Sequence, residues 1–142
     1  MNRQKRQVTP LSTRSSRHHY KRVVIDQEYI DSAPIYPKAD DVHAHDCYFE
    51  DGSLSFLRLY PNLQYLWLTG HGKKKISLSG IENCPQLRRV SIMGYHIENA
   101  HGIEFCTSLG YIKTNDIDPA CLEFVKECHP RIRIEIVNKY RY

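Results

Sequence analysis

The fold of this chain is decided by residues 61–92, which read PNLQYLWLTGHGKKKISLSGIENCPQLRRVSI. PNLQYLWL begins at Pro61 and PQLRRVSI begins at Pro85, and each places apolar residues at its third, sixth and eighth positions. The alternation at the end of both copies is typical of a short strand that buries one face. The stretch therefore predicts similar units that follow one another, each with one strand.

Weaker copies of the pattern flank this stretch, as PKADDVHA, TSLGYIKT and a shortened HPRIRIEI. With Pro37, Thr107 and Pro130 as their starts, the five copies recur every 22 to 24 residues. That period lies within the range of leucine-rich repeats. The sequence thus predicts an α/β fold: a short leucine-rich-repeat solenoid with about five parallel strands on its concave face and helices or turns on its convex face.

Between the predicted strands, the chain returns through short apolar clusters. Their members are Leu54, Phe56 and Leu57; Ile81 and Cys84; Ile103, Phe105 and Cys106; and Leu122, Val125 and Cys128. Glycine opens three of the returns, at Gly52, Gly80 and Gly102, whereas Asp118 and Pro119 open the last. Asp followed by Pro is typical of a helix N-cap and the first helical position. We therefore expect a helix in the last return.

The chain contains five cysteines, an odd number. Three of them, Cys84, Cys106 and Cys128, recur every 22 residues at the same position of successive units. We interpret them as small buried hydrophobic residues. Free cysteines indicate a reducing compartment or the mitochondrial matrix.

The composition indicates a single domain with unevenly placed charge. The chain has 142 residues, 41% of them hydrophobic and 25% charged, and no apolar run approaches the roughly 20 residues of a transmembrane helix. Residues 1–22 include seven Lys or Arg and no acid, whereas the remainder has 13 basic against 16 acidic residues. We predict a basic arm over 1–22, an N-terminal cap over 23–36 and the repeat domain over 37–142.

The basic arm has few apolar residues and is expected to be disordered in isolation. Three interpretations are open: a solvated tail, a mitochondrial presequence, and a nuclear signal or nucleic-acid arm. The presequence is favoured by a composition that is rich in Arg and Ser and free of acids. Since its charges are not interleaved with aromatic residues or glycines, we predict no nucleic-acid partner. After the arm, Val23 to Ile25 predict a short strand that caps the first repeat strand.

Metal-binding and catalytic chemistry have weak signals in this sequence. His43 and His45 would face the same side of a strand and are weak candidates for a zinc site completed by a third ligand. The simpler interpretation is an exposed polar strand. No nucleophile motif, glycine-rich phosphate loop or HExxH motif is present. We therefore expect a protein that is not an enzyme and needs no cofactor.

The outward positions of the predicted strands favour a protein-binding surface instead. If the strands align, the side chains that share this face include Tyr65, Trp67, Arg89, Tyr111 and Lys113. Trp, Tyr and Arg are enriched at the energetic centres of protein interfaces. We predict that these five residues contact a protein partner on the concave face.

Four stretches carry a resemblance to a known family: YKRVVID, CYFEDGSLSFLRLYPNLQYLWL, CPQLRRVSI and HPRIRIEI. Together they span roughly residues 20–137 and resemble the small mitochondrial leucine-rich-repeat family of ATP synthase subunit s (coupling factor B) and the distal membrane-arm assembly protein of respiratory complex I. The resemblance implies a non-catalytic, matrix-side protein peripherally associated with the inner membrane. Its implied role is to support ATP synthase coupling or respiratory complex assembly.

The sequence also departs from that family and leaves an alternative open. Members similar to subunit s carry a Cys-x-Cys pair where this chain has His45, Asp46 and Cys47. F-box-type leucine-rich-repeat proteins, which recognise substrates of ubiquitin ligases in the cytoplasm or nucleus, show signatures similar to NCPQL and FCTSL. The alternative function is therefore substrate recognition for a ubiquitin ligase.

Overall fold

The computed structural model of the chain describes residues 22–26 and 38–138. The predictions for residues 1–21 of the basic arm and for residues 27–36 of the cap lie outside these ranges. Within them, no helix combines the length and the apolar character needed to cross a bilayer.

The described residues form a mixed α/β structure built on one six-stranded sheet, in which neighbouring strands follow one another in chain order. Every pair of neighbouring strands is parallel. The strands are β1 (Arg22–Asp26), β2 (Asp41–His45), β3 (Tyr65–Ser77), β4 (Arg89–Asn99), β5 (Tyr111–Thr114) and β6 (Arg133–Ile136). The last five come from the five copies of the repeated pattern, and β1 contains the capping strand predicted at Val23 to Ile25.

Aliphatic side chains stack across the sheet at equivalent positions of successive strands. Leu66 of β3 pairs in register with Val42 of β2 and Val90 of β4, and Val90 pairs with Ile112 of β5. These four side chains are at most 1% exposed, so each covers its neighbours and is covered by them. The stacking predicted from the repeated pattern is confirmed.

A second layer of short turns and one helix covers the apolar face of the sheet. It consists of three 3-10 turns (Ser55–Leu59, Ile81–Asn83 and Ile103–Phe105) and helix α1 (Pro119–Cys128). Asp118 is the N-cap residue of α1 and Pro119 its first residue, as predicted, although the Asp118 side chain makes no capping hydrogen bond. Val125 of α1 is fully buried in the common core.

Glycine is required where the second 3-10 turn begins. Gly80 has a φ of 109°, in the left-handed region, which costs other residues free energy because their Cβ crowds the backbone. A Cβ at this position would also lie 2.3 Å from the carbonyl oxygen of Leu54. The glycine therefore allows successive turns to pack directly on one another.

The prediction of buried cysteines is confirmed for two of the three repeated positions. Cys84 and Cys106 are fully buried, and burial raises the pKa of each thiol to about 12. Their Sγ atoms lie 3.3 Å from the carbonyl oxygen of Tyr60 and 3.4 Å from that of Ile81, respectively. Cys128 is only half-buried at the end of α1.

Phe105 corrects the predicted membership of the apolar clusters. Its side chain is 59% exposed, although its neighbours Ile103 and Cys106 are fully buried. A 3-10 turn has three residues per turn, so Ile103 and Cys106 share the inward side and Phe105 falls off it. The predicted cluster of Ile103, Phe105 and Cys106 is therefore correct for Ile103 and Cys106, but the side chain of Phe105 points outward.

Strands β3 and β4 continue beyond the repeated pattern through an irregular pairing. The regular register ends at the pair of Thr69 with Met93 and resumes at Lys74 with Tyr95, so four residues of β3 stand opposite Gly94 alone. Gly94 has a φ of 85°, and a Cβ there would lie 2.0 Å from the carbonyl oxygen of Gly70. The backbones can approach this closely because Gly94 lacks a side chain, whereas a Cβ at Gly70 would instead meet the Tyr95 ring at 2.6 Å.

The extension of β3 and β4 is held by side chains that the repeat does not contain. Tyr95 is 1% exposed, and its hydroxyl donates a hydrogen bond of 2.6 Å to the carbonyl oxygen of Cys47. Two His–Asp contacts lie at the same end of the sheet, between His71 and Asp46 and between His96 and Asp116.

Candidate interaction surface

Two columns of mostly polar and aromatic side chains cover the face of the sheet opposite the core. The register aligns Asp41, Tyr65, Arg89, Tyr111 and Arg133 in the first column, and His43, Trp67, Ser91, Lys113 and Glu135 in the second. We call these ten residues the polar face. It brings together all five of the predicted partner-binding residues, whose role in binding stays a prediction.

The centre of the first column is a tyrosine between two arginines. The guanidinium carbons of Arg89 and Arg133 lie 5.5 Å and 5.6 Å from the centroid of the Tyr111 ring, a distance at which the negative ring face attracts a cation. The Tyr111 hydroxyl donates a hydrogen bond of 2.5 Å to Glu135, and this bond raises the pKa of the tyrosine. Among the described residues, neither arginine forms an ion pair with a carboxylate.

Asp41 is the buried anion at the β2 end of the first column. Its carboxylate accepts a hydrogen bond of 2.8 Å from Nε of Arg22, and its other oxygen lies 3.1 Å from Nε2 of His43. Burial alone would raise the pKa of this carboxyl, but the contacts with His43 and Arg22 outweigh it and lower the pKa below its usual range. Asp41 therefore stays ionised and neutralises the arginine nearest to it.

Trp67 occupies the middle of the polar face and is half-buried. Its ring centroid lies 5.3 Å from that of His43, with the two planes tilted by 33°. The indole Nε1 is shielded from solvent but has no acceptor among the described residues. An unpaired, desolvated donor is costly, so the indole N–H contributes a free-energy penalty at this position.

The other predicted residues on this face have simpler surroundings. Lys113 is half-buried and stands in register between Ser91 and Glu135. His45 is exposed, with its Nδ1 atom 2.8 Å from the Thr69 hydroxyl, and its ring centroid lies 6.2 Å from that of His43. In the described ranges, no group of three or more His, Cys, Asp or Glu is arranged to hold a metal ion. The zinc site at the two histidines stays a prediction.

A groove of about 540 Å³ opens at the amino-terminal end of the polar face. Four arginines line it together with three aromatic residues: Arg22, Arg88, Arg89 and Arg133 with Tyr65, Trp67 and Tyr111. Asp41 is the single carboxylate among its described lining residues. The groove is therefore cationic and aromatic. Of its four described arginines, Asp41 neutralises only Arg22.

The repeated pattern did not predict that Arg88, Arg133 and Glu135 belong to this surface. The last copy of the pattern is one residue shorter than the others, which obscured that Arg133 occupies the column of Arg89. The pairing of Tyr111 with Arg133 reveals it. Aligning the strand ends of the copies, instead of their prolines, would have placed Arg133 and Glu135 correctly.

Comparison of the chain with models of protein families, with curated proteins and with solved structures finds no match. The resemblance described above therefore stays a prediction carried by the four quoted stretches.

Proposed function

We propose that the chain is a leucine-rich-repeat solenoid that acts as a non-catalytic protein-interaction module. Its polar face is the concave surface, and a protein partner binds there. The observation that carries this proposal is the alignment of Tyr65, Trp67, Arg89, Tyr111 and Lys113 on one face of a sheet of consecutive parallel strands. Repeat proteins use such surfaces to bind their partners.

The chemistry of the polar face supports binding of a protein. Trp67 offers a large ring and an indole N–H that lacks an acceptor among the described residues. Tyr111 and Arg89 lie against each other, so their contact reduces the conformational entropy that they would lose on binding. Rigid aromatic and arginine anchors of this kind carry much of the free energy of protein association.

Site-specific cross-linking tests the location of the binding surface. A photo-reactive amino acid in place of Lys113 would lie on the polar face, whereas one in place of Lys126 would lie on α1, where the lysine is exposed. In cells, we expect a discrete adduct from position 113 and none of that size from position 126. The adduct should weaken when Trp67→Ala is added. An adduct of equal yield at both positions, or none at position 113, would reject the polar face as the docking surface.

We further propose that the partner belongs to a mitochondrial inner-membrane complex, and that the protein supports ATP synthase coupling or respiratory complex assembly from the matrix side. The acid-free basic arm and the four family-like stretches support this role. A tag at the carboxyl terminus leaves the arm free, and we expect fractionation to recover the protein with mitochondria, shortened by about 20 residues. An uncleaved protein in the cytoplasm or nucleus would instead favour substrate recognition for a ubiquitin ligase.

A further inference from the structure

The groove at the end of the polar face concentrates positive charge on a part of the chain that is otherwise acidic. Arg88, Arg89 and Arg133 line it without forming an ion pair in the described residues. Residues 23–142 nevertheless contain 13 basic against 16 acidic residues. The cationic groove is therefore a local arrangement and does not follow from the average charge.

Arg89 and Arg133 are held in place before any ligand arrives. Both guanidinium groups lie against the Tyr111 ring, so one aromatic side chain orients two positive charges. Glu135 is the acid nearest to Arg133 in the sequence, but it accepts a hydrogen bond from Tyr111 and, among the described residues, forms no ion pair with Arg133. A carboxylate that reached either arginine would neutralise it and could accept paired N–H bonds, for which guanidinium geometry is suited.

The size of the groove favours an extended peptide. The lining runs from Arg22 of β1 to Arg133 of β6. The part beyond the Arg22–Asp41 pair, from β3 to β6, covers three strand spacings, about 14 Å in total, which corresponds to about four residues of extended chain. Asp41 borders the groove on the β2 side, and Glu135 stands beside Arg133 on the β6 side. A short acidic segment can engage Arg88, Arg89 and Arg133, whereas a long uniform polyanion such as a nucleic acid would extend onto the β2 side, where Arg22 is already neutralised by Asp41.

We propose that this groove binds an extended acidic segment of the partner protein, with Arg88, Arg89 and Arg133 contacting Asp or Glu side chains and with Tyr111 and Trp67 contacting the residues between them. The proposal rests on the proposed function and specifies the chemistry of the partner.

Peptide binding to the purified full chain tests the proposal directly. The probes are a fluorescent peptide in which Glu alternates with Leu, its counterpart with Gln in place of Glu, and a single-stranded oligonucleotide of similar length. Fluorescence anisotropy should show that the acidic peptide binds at least about tenfold more tightly than the Gln peptide, and that added salt weakens its binding. Equal affinity for the two peptides, no binding of the acidic peptide, or tighter binding of the oligonucleotide would overturn the proposal.

Arginine variants locate the binding site. Arg89→Gln and Arg133→Gln should each weaken binding of the acidic peptide about fivefold to tenfold, since each removes a charged hydrogen-bond donor. Arg58→Gln is the matched control, because Arg58 is an exposed arginine on the first 3-10 turn, outside the groove. Thermal unfolding would verify that all three variants fold. A loss in Arg58→Gln equal to that in Arg89→Gln would reject the groove as the site.

Cross-linking at position 113 separates this inference from the proposed function. If the adduct persists unchanged in the Arg89→Gln/Arg133→Gln double variant, the polar face binds a partner but the acidic-segment proposal is wrong. If no adduct forms in the parent chain, the proposed function itself fails. Loss of the adduct in the double variant, but not in Arg58→Gln, is the result expected here.

Discussion

The first five residues of β3 and β4 and the extensions that follow them obey different rules. In Tyr65–Thr69 and Arg89–Met93, each residue stands opposite one partner, and the inward aliphatics stack as the repeat requires. Beyond Thr69, four residues face Gly94, and the backbones approach so closely that no Cβ fits at that position. The regular part is specified by a pattern of residue classes, but the extension depends on individual residues.

The difference teaches how tolerant each region should be. In the regular part, any aliphatic residue of similar volume can occupy a stacked position, because its neighbours are also aliphatic. In the extension, Gly94 has no equivalent, since its conformation and its contact with Gly70 both exclude a side chain. We therefore expect mutations to reduce stability most in the extension, where the sequence does not follow the repeated pattern.

The largest effect is expected from Gly94→Ala. A methyl group would meet the Gly70 carbonyl oxygen at 2.0 Å and would require a left-handed backbone at φ 85°, so we expect a loss of more than about 3 kcal/mol in the free energy of unfolding. Gly110→Ala is the control, because a Cβ there has nothing within 4 Å, and it should change stability by less than about 0.5 kcal/mol. Urea denaturation measures both. Equal effects of the two substitutions would erase the contrast between the regular and irregular regions.

A smaller effect is expected from Tyr95 and Tyr111, whose hydroxyls donate hydrogen bonds. Tyr95→Phe removes a buried bond to the Cys47 carbonyl oxygen and should cost about 1 to 2 kcal/mol of unfolding free energy. Tyr111→Phe removes a bond to Glu135 on the half-exposed polar face and should cost below about 0.5 kcal/mol, since water replaces the lost partner. Differential denaturation measures the pair, and a larger loss for Tyr111→Phe would contradict the assignment of the structural role to the extension.

The smallest effect at neutral pH concerns the thiols beneath the regular strands. Burial raises the pKa of Cys84 and Cys106 to about 12, whereas the unfolded chain should ionise them near the usual value of about 8.5. In the interval between these values, the folded state binds more protons, so stability should fall as pH rises from about 9 to 12. The slope should be shallower in the Cys84→Ala/Cys106→Ala double variant, as measured by urea denaturation across that range.

Alkylation kinetics provide an independent measure of the same thiols. In the native protein at neutral pH, the half-buried Cys128 should react with iodoacetamide before Cys84 and Cys106, because access and thiolate formation both control the rate. Mass spectrometry of the labelled peptides gives the order. Rapid labelling of the two buried cysteines without unfolding would show that the layer under the regular strands opens readily.

The sequence predicted the regular part of the fold because the pattern of apolar and polar residues involves only positions that are close together in the chain. The copies beginning at Pro61 and Pro85 located the starts of β3 and β4, and the Asp118–Pro119 pair located the start of α1. The lengths of β3 and β4 were not predictable in this way, since the extension after Thr69 follows neither the repeat nor a simple alternation. Its contacts join residues far apart in the chain, as between Tyr95 and Cys47.

The candidate surface was predictable to the same extent. Successive side chains of a strand point to opposite faces, and this alternation alone placed Trp67, Arg89 and Tyr111 on one face. It could not show that Arg89 and Arg133 share the Tyr111 ring, or that the indole of Trp67 lacks an acceptor among the described residues. Those features depend on distances between strands, which a single sequence does not contain.

The order of strands in the sheet, which matches their order along the described chain, has a consequence for how such a protein can change in size. Because each strand pairs with those that precede and follow it, a duplicated copy of residues 85–106 inserted after Cys106 would find one neighbour on each side and would not have to thread between existing strands. Gene duplication could lengthen the sheet in this way one strand at a time. Each added strand would widen the exposed face by about 4.8 Å and present a fresh set of side chains for selection to adjust.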